Sequence, residues 1–175
     1  MPQQVLDRLT DKQAMDFIET IEKPFRDVPH IPKKITEILV KISPWLAMVG
    51  GVFGILGALQ SIGYGLGGGS AYQRIFSEFA GMPSWYFVVV GFLQLLSSFL
   101  LLLSVKHLKN RELTGWVYMF WNMAIMVVQS IVGLLAGIGG VVGFVVVTAL
   151  SYYLLFEMKQ FFGKKAADNN SKEKN

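Results

Sequence analysis

The chain has 175 residues, of which 53% are hydrophobic and only 16% are charged. Soluble domains usually carry about 25% charged residues. The net charge is +4, and the excess of basic residues lies in the 106–112 loop and the tail after residue 157. That distribution is typical of contact with a membrane surface and argues against a nucleic-acid partner. The absence of cysteine excludes disulfides, thiolate metal ligands and a cysteine nucleophile.

Residues 1–43 predict a cytoplasmic arm with two short amphipathic helices. Thr10 followed by Gln13 matches a capping box, and apolar residues at helical spacing predict a first helix over 11–23, ended by Pro24. Two interpretations of this helix stay open. It docks on a partner or on the 106–114 loop, or it contacts the membrane surface.

The second half of the arm predicts a spacer followed by a helix. The stretch 24–32 contains three prolines, which indicates an extended chain. Residues 33–43 have one apolar face, made by Ile35, Ile38, Leu39 and Ile42. This pattern predicts a short helix in the headgroup layer that leads into the membrane and sets its entry angle. A regulatory or partner-binding arm is the alternative.

Four apolar segments without charged residues follow, at about 44–62, 84–105, 115–136 and 141–156. Segments of this kind predict transmembrane helices, so the fold class is all-α, a polytopic membrane protein with four transmembrane helices. Ser43 is expected to be the N-cap of the first, with Pro44 at the first helical position. The glycines of 136–140 divide the last uncharged run, because one helix over its whole length would be about twice as long as the hydrocarbon core is thick.

Basic residues near the span ends are distributed asymmetrically. One side has Lys33, Lys34, Lys41, Lys106, Lys109, Arg111, Lys159, Lys164 and Lys165. The other side has only Arg74. The positive-inside rule therefore predicts both termini in the cytoplasm, with 158–175 as a polar, disordered tail. The first six of these cations are expected to contact lipid headgroups and fix the topology. A specific ligand or partner site over 106–116 is the alternative.

The predicted spans contain no acidic, basic or histidine side chain. A proton relay or catalytic centre in lipid normally needs one, and His30 and His107 have no neighbouring ligand cluster, so we expect no catalytic, cofactor or metal site. The polar side chains of interest are Gln94, Asn122 and Gln129. They are expected to form interhelical hydrogen bonds; the alternative is that they line a polar path.

Small residues four positions apart predict close helix packing. These are Gly50, Gly54 and Ala58 in the first span, the pair Gly133 and Gly137, and the pair Gly139 and Gly143. The sequence leaves open whether these faces pair within one chain or between chains.

Residues 35–59, 108–121 and 151–162 combine an amphipathic lead-in, a proline–tryptophan entry, a basic loop ending in Gly115–Trp116 and an aromatic exit with a charge. In these features the chain resembles a set of small uncharacterised bacterial four-span inner-membrane proteins, over most of residues 33–162. The resemblance implies four helices and a bacterial inner (plasma) membrane location. It implies no activity, and no functional residue can be transferred.

We therefore expect a non-enzymatic integral membrane protein that acts through protein or lipid contacts, as an accessory subunit or envelope component. Its partners would be the lipid bilayer and either a second copy or another membrane protein. The alternative is a small transporter or channel that works as an oligomer, because four helices are too few for most transport paths. An enzyme is not expected, because the only cluster of reactive side chains is Lys106, His107 and Glu112 on a topogenic loop.

Overall fold

The computed structural model describes residues 12–25, 28–68, 82–137 and 140–162. The helices are α1 (Lys12–Glu22), a 3-10 turn (Lys23–Phe25), α2 (Lys33–Gly65), α3 (Ser84–Lys109), α4 (Leu113–Leu135) and α5 (Val141–Lys159). Helices α2 to α5 are long and apolar enough to cross a membrane, which confirms the predicted all-α fold with four membrane-length helices. Thr10, Gly139 and most of the predicted tail lie outside the described residues.

Helix α2 differs from the prediction at its start. It runs unbroken from Lys33 through Pro44, so a separate helix over 33–43 and an N-cap at Ser43 were both wrong. Pro44 has no N–H for the carbonyl four residues earlier, that of Val40. The Ser43 hydroxyl donates a hydrogen bond to that same carbonyl at 2.9 Å, which offsets part of the cost of an internal proline. With 33 residues, α2 is about 50 Å long, so its amino-terminal part extends beyond a hydrocarbon core of about 30 Å.

The membrane-length helices pack in an antiparallel series. The contact between α2 and α3 is the most extensive, that between α3 and α4 is smaller, and α4 and α5 touch over a short length. Helix α3 continues to Lys109, and a three-residue turn leads directly into α4. Arg111 in this turn has a φ of 56°, a left-handed conformation that costs a non-glycine residue about 1–2 kcal/mol.

The end of the bundle where α2 and α4 begin and α3 and α5 end carries the described basic residues near the span ends, and we call it the basic end. The buried hydrophobic core lies mostly there, built from Ile18, Val40, Leu108, Trp116, Val117, Phe120, Leu155 and Met158. Towards the opposite end, α5 exposes a series of valines, Val141, Val142, Val145, Val146 and Val147. Exposed branched apolar side chains are what a lipid-facing helix surface needs.

Candidate functional sites

The close contact between α2 and α3 depends on glycine. A Cβ added at Gly54 would overlap Ser98 Oγ and lie 3.1 Å from Gln94 Nε2, and one at Gly51 would lie 2.7 Å from Leu102 Cγ. Ala58 is fully buried in the same contact. The packing face therefore follows positions 51, 54 and 58. Gly50, which the sequence predicted for this face, is exposed. A Cβ added there would meet only the Leu101 side chain, at 3.4 Å.

The other predicted glycine faces have different roles. Gly133 is buried within α4. Gly137 has a φ of 77° and open space around it, so it ends α4 as a left-handed C-terminal glycine and is not a packing residue. An added Cβ at Gly143 would meet nothing within 4 Å. The predicted packing of Gly143 within this chain is therefore not seen.

The three polar residues singled out from the sequence form pairs between neighbouring helices. Gln129 Nε2 on α4 donates to Gln94 Oε1 on α3 at 3.3 Å. Asn122 is buried and donates from Nδ2 to the Ser97 carbonyl at 3.0 Å and to the Ser97 hydroxyl. These bonds join α3 to α4, where they satisfy polar groups that the bilayer cannot.

Gln129 also borders an open cleft among α3, α4 and α5, towards the end opposite the basic end. The cleft has a volume of about 460 Å³, and its lining includes Tyr86, Gly133, Gly143 and Thr148. Of the three polar residues, Gln129 borders the cleft, whereas Gln94 and Asn122 lie outside its lining.

Helix α1 and the residues after it dock on the basic end of the bundle. Ile18 is fully buried in the core. The Phe17 ring stacks on Trp121, with centroids 6.4 Å apart, and meets Phe120 edge-on at 6.5 Å. Further along, Phe25 packs on Phe156 at 5.5 Å. The arm therefore docks on α4 and α5, a site that neither interpretation from the sequence included.

Lys159, at the end of α5, links this docked segment to the aromatic core. Its ammonium group forms a hydrogen-bonded ion pair with Glu22 and lies over the Trp116 ring, 5.3 Å from the ring centroid. The Trp116 indole N–H donates to the Leu155 carbonyl at 2.7 Å. Helices α1, α4 and α5 are thus joined through one cation and one indole.

Glu157 forms the second link. Its Oε1 lies 2.6 Å from Nδ1 of His30, and the Glu157 side chain is only 6% exposed against 72% for His30. The other carboxylate oxygen is buried without a hydrogen-bond partner in the described structure. Next to this pair, the Tyr153 hydroxyl donates to the Pro29 carbonyl. The chain between α1 and α2 is therefore fastened to α5 through both a side chain and a backbone group.

The turn between α3 and α4 has its own polar network. Glu112 accepts hydrogen bonds from His107 and from Asn110, the latter at 2.9 Å. These bonds lower the pKa of the Glu112 carboxyl below its usual value, and the hydrogen bond from His107 has the largest effect. The His107 ring also meets Tyr118 edge-on at 5.6 Å. The network closes the turn and engages both oxygens of the Glu112 carboxylate.

The six predicted headgroup cations divide into two groups. Lys33, Lys34 and Lys106 are exposed on the surface of the basic end. The other three, Lys41, Lys109 and Arg111, line a recess of about 210 Å³ between α2 and the end of α3. The sequence gives no sign of this division, because it depends on how the two helices cross.

No protein-family model, curated protein or solved structure matches this chain. The interactions that sequence reasoning missed are those between distant segments. His30 and Glu157 are 127 positions apart, and neither residue stands in a motif. The apolar stripe containing Phe17 and Ile18 was visible in the sequence, but its docking surface was not.

Proposed function

We propose that this protein is a non-enzymatic integral membrane protein that acts through contacts with another membrane protein and with lipid, as an accessory subunit or envelope component. The observation that carries the proposal is the use of its reactive groups. In the described spans the amides of Gln94, Asn122 and Gln129 bond within the bundle. At the basic end, Glu22 and Glu157 fasten the arm. These groups serve assembly.

The docked segment supplies the surface for a protein partner. Its inward face is held by Ile18 and by the ion pair of Glu22 with Lys159. Its outward face exposes polar side chains, among them Asp16 and Glu19. A surface that is already ordered loses less conformational entropy on binding than a free tether does. The exposed carboxylates of Asp16 and Glu19 favour contact with basic groups of a partner.

The proposal places the protein in a bacterial inner membrane with both termini in the cytoplasm. The excess of basic residues at one end of the spans supports this orientation through the positive-inside rule. The basic end, including the docked segment, would then face the cytoplasm, and the cleft bordered by Gln129 would open towards the other side.

Extraction of the tagged protein under mild conditions, after crosslinking in its native membrane, tests this function. We expect a distinct membrane protein in stoichiometric amount, identified by mass. Glu22→Lys, which opposes Lys159, should reduce its recovery, whereas Glu37→Lys on an exposed position of α2 makes the same charge change and should not. Isolation of the chain without any other protein would contradict the proposal.

A small oligomeric transporter is the second candidate, and the cleft favours it. Gln129 and Thr148 present polar groups in an open cleft of about 460 Å³ between apolar helices, and symmetric copies could join such clefts into a path. Replacing Gln94, Asn122 and Gln129 with leucine should then abolish flux in reconstituted vesicles. Unchanged flux in the folded variant would exclude this role for the three residues.

A further inference from the structure

The recess between α2 and the end of α3 combines charge with an apolar floor. Lys41, Lys109 and Arg111 form its cationic rim. Its floor includes Val40 and Leu108, which are 3% and 1% exposed. Because both floor residues belong to the packed core, the cations stand around a rigid surface.

The three cations have no carboxylate partner in the described part of the chain. Glu112, next to Arg111 in sequence, binds His107 and Asn110 instead. Lys109 lies 5.8 Å from the centroid of the Trp45 ring, which orients its ammonium group without neutralising it. Three positive charges thus converge on one concave site without a counterion among the residues that the structure describes.

We propose that this recess binds the phosphate of an anionic phospholipid. The cations would neutralise the phosphate, and Arg111 can donate two parallel hydrogen bonds to its oxygens. Basic pockets between transmembrane helices on the cytoplasmic side are suited to such headgroups. The site deepens the lipid-contact part of the proposed function and does not depend on the protein partner.

The position of the recess favours a lipid over a soluble phosphate. It lies at the basic end, where α3 ends, and Trp45 on its rim is 62% exposed. An exposed amphipathic ring is expected where headgroups meet acyl chains. Next to Trp45 along α2, exposed Leu46 and Val49 continue into the membrane-length part of the helix. A phosphate in the recess could therefore remain attached to acyl chains that lie along α2.

Native mass spectrometry of the full chain in detergent, titrated with tetraoleoyl cardiolipin, dioleoylphosphatidylglycerol or dioleoylphosphatidylcholine, tests the proposal. We expect selective binding of the two anionic lipids. Removal of each cation should lower the affinity for anionic lipid about five-fold. The affinity of the triple variant Lys41→Gln/Lys109→Gln/Arg111→Gln should therefore fall about 100-fold. The matched variant Lys33→Gln/Lys34→Gln/Lys106→Gln removes the same charge outside the recess and should lose several-fold at most.

Each alternative outcome overturns the proposal in a recognisable way. Equal losses in the two triple variants would show general surface attraction and no specific site. Equal binding of phosphatidylcholine would exclude selection of anionic lipid, and displacement of cardiolipin by millimolar inorganic phosphate would assign the recess to a soluble anion. If the substitution at Arg111 disturbs the turn, the double variant Lys41→Gln/Lys109→Gln retains Arg111, and its affinity for anionic lipid should still fall about 25-fold. Loss of the protein partner with lipid selectivity intact would count against the proposed function alone.

Discussion

The substitution Gly54→Ala tests the close contact between α2 and α3. The new methyl group would overlap Ser98 Oγ and lie 3.3 Å from Ser98 Cβ, where carbon atoms prefer about 3.5–4.0 Å. Ser98 cannot easily move away, because it is fully buried and its hydroxyl is bonded to the Gln94 carbonyl at 2.7 Å. Helix α3 must therefore shift away from α2.

Gly57→Ala is the matched control. It lies on the same helix, and its new Cβ would meet nothing within 4 Å. Alanine gains about 1 kcal/mol of helix propensity over glycine, and this gain is common to both variants. Their difference in free energy of unfolding isolates the overlap, for which overpacking predicts about 1–3 kcal/mol.

Unfolding in mixed micelles with increasing dodecyl sulfate, followed by tryptophan fluorescence and circular dichroism, gives this difference. Adding Ser98→Ala to Gly54→Ala removes the overlapping oxygen and should recover about 1 kcal/mol. If Gly54→Ala proves as stable as Gly57→Ala, the close approach of α2 and α3 at this position is refuted.

Three further substitutions test other parts of the structure. Trp116→Phe removes the indole donor to Leu155 and replaces the ring over which Lys159 lies with a smaller one that attracts a cation less strongly. It should cost about 2–3 kcal/mol in the same unfolding assay, whereas Trp85→Phe at a half-exposed site should change little. Gly137→Ala places a side chain at a φ of 77° and should lower the free energy of unfolding by about 1–2 kcal/mol. Gly63→Ala is the control, because Gly63 lies within helix α2 and an added Cβ there would meet nothing within 4 Å; equal stability of the two variants would contradict the left-handed turn. His107→Phe keeps a ring against Tyr118 but removes the donor to Glu112, so the Glu112 pKa should rise towards its usual value in a carbon-detected NMR titration. Since the folded-state pKa is lowered, the stabilisation from this pair is present above the unfolded pKa and is lost as pH falls through the folded one; an unchanged Glu112 titration in the variant would show that another group lowers it.

The membrane-length helices could be predicted because their signal is local. Each consists of apolar residues without charge, and a bilayer requires long helices of such segments. The start of α2 could not be predicted correctly, because Pro44 is a typical first helical residue. Its tolerance inside the helix depends on the Ser43 hydroxyl and the Val40 carbonyl, and a sequence pattern gives no weight to that bond.

The candidate sites were predicted in part, for similar reasons. The rule that polar groups in lipid find partners predicts that Gln94 and Gln129 form interhelical hydrogen bonds. Which residue is the partner of each depends on the register between the helices, and the sequence does not give that register. Gly51 was missed because spacing by four selects Gly50, whereas the true contact with α3 uses positions 51, 54 and 58. The docking of α1 depends on residues more than a hundred positions away, such as Lys159.

Site-specific crosslinking from the docked segment tests the central claim most directly. Because the chain has no cysteine, Glu19→Cys introduces a single thiol on the exposed face of α1, to which a photoactivatable maleimide can be attached in the native membrane. Leu59→Cys, on the exposed apolar face of α2, is the control. The account predicts a crosslink to one distinct membrane protein from position 19 and none to that protein from position 59. A crosslink only to a second copy of the chain, or no protein adduct at all, would contradict it.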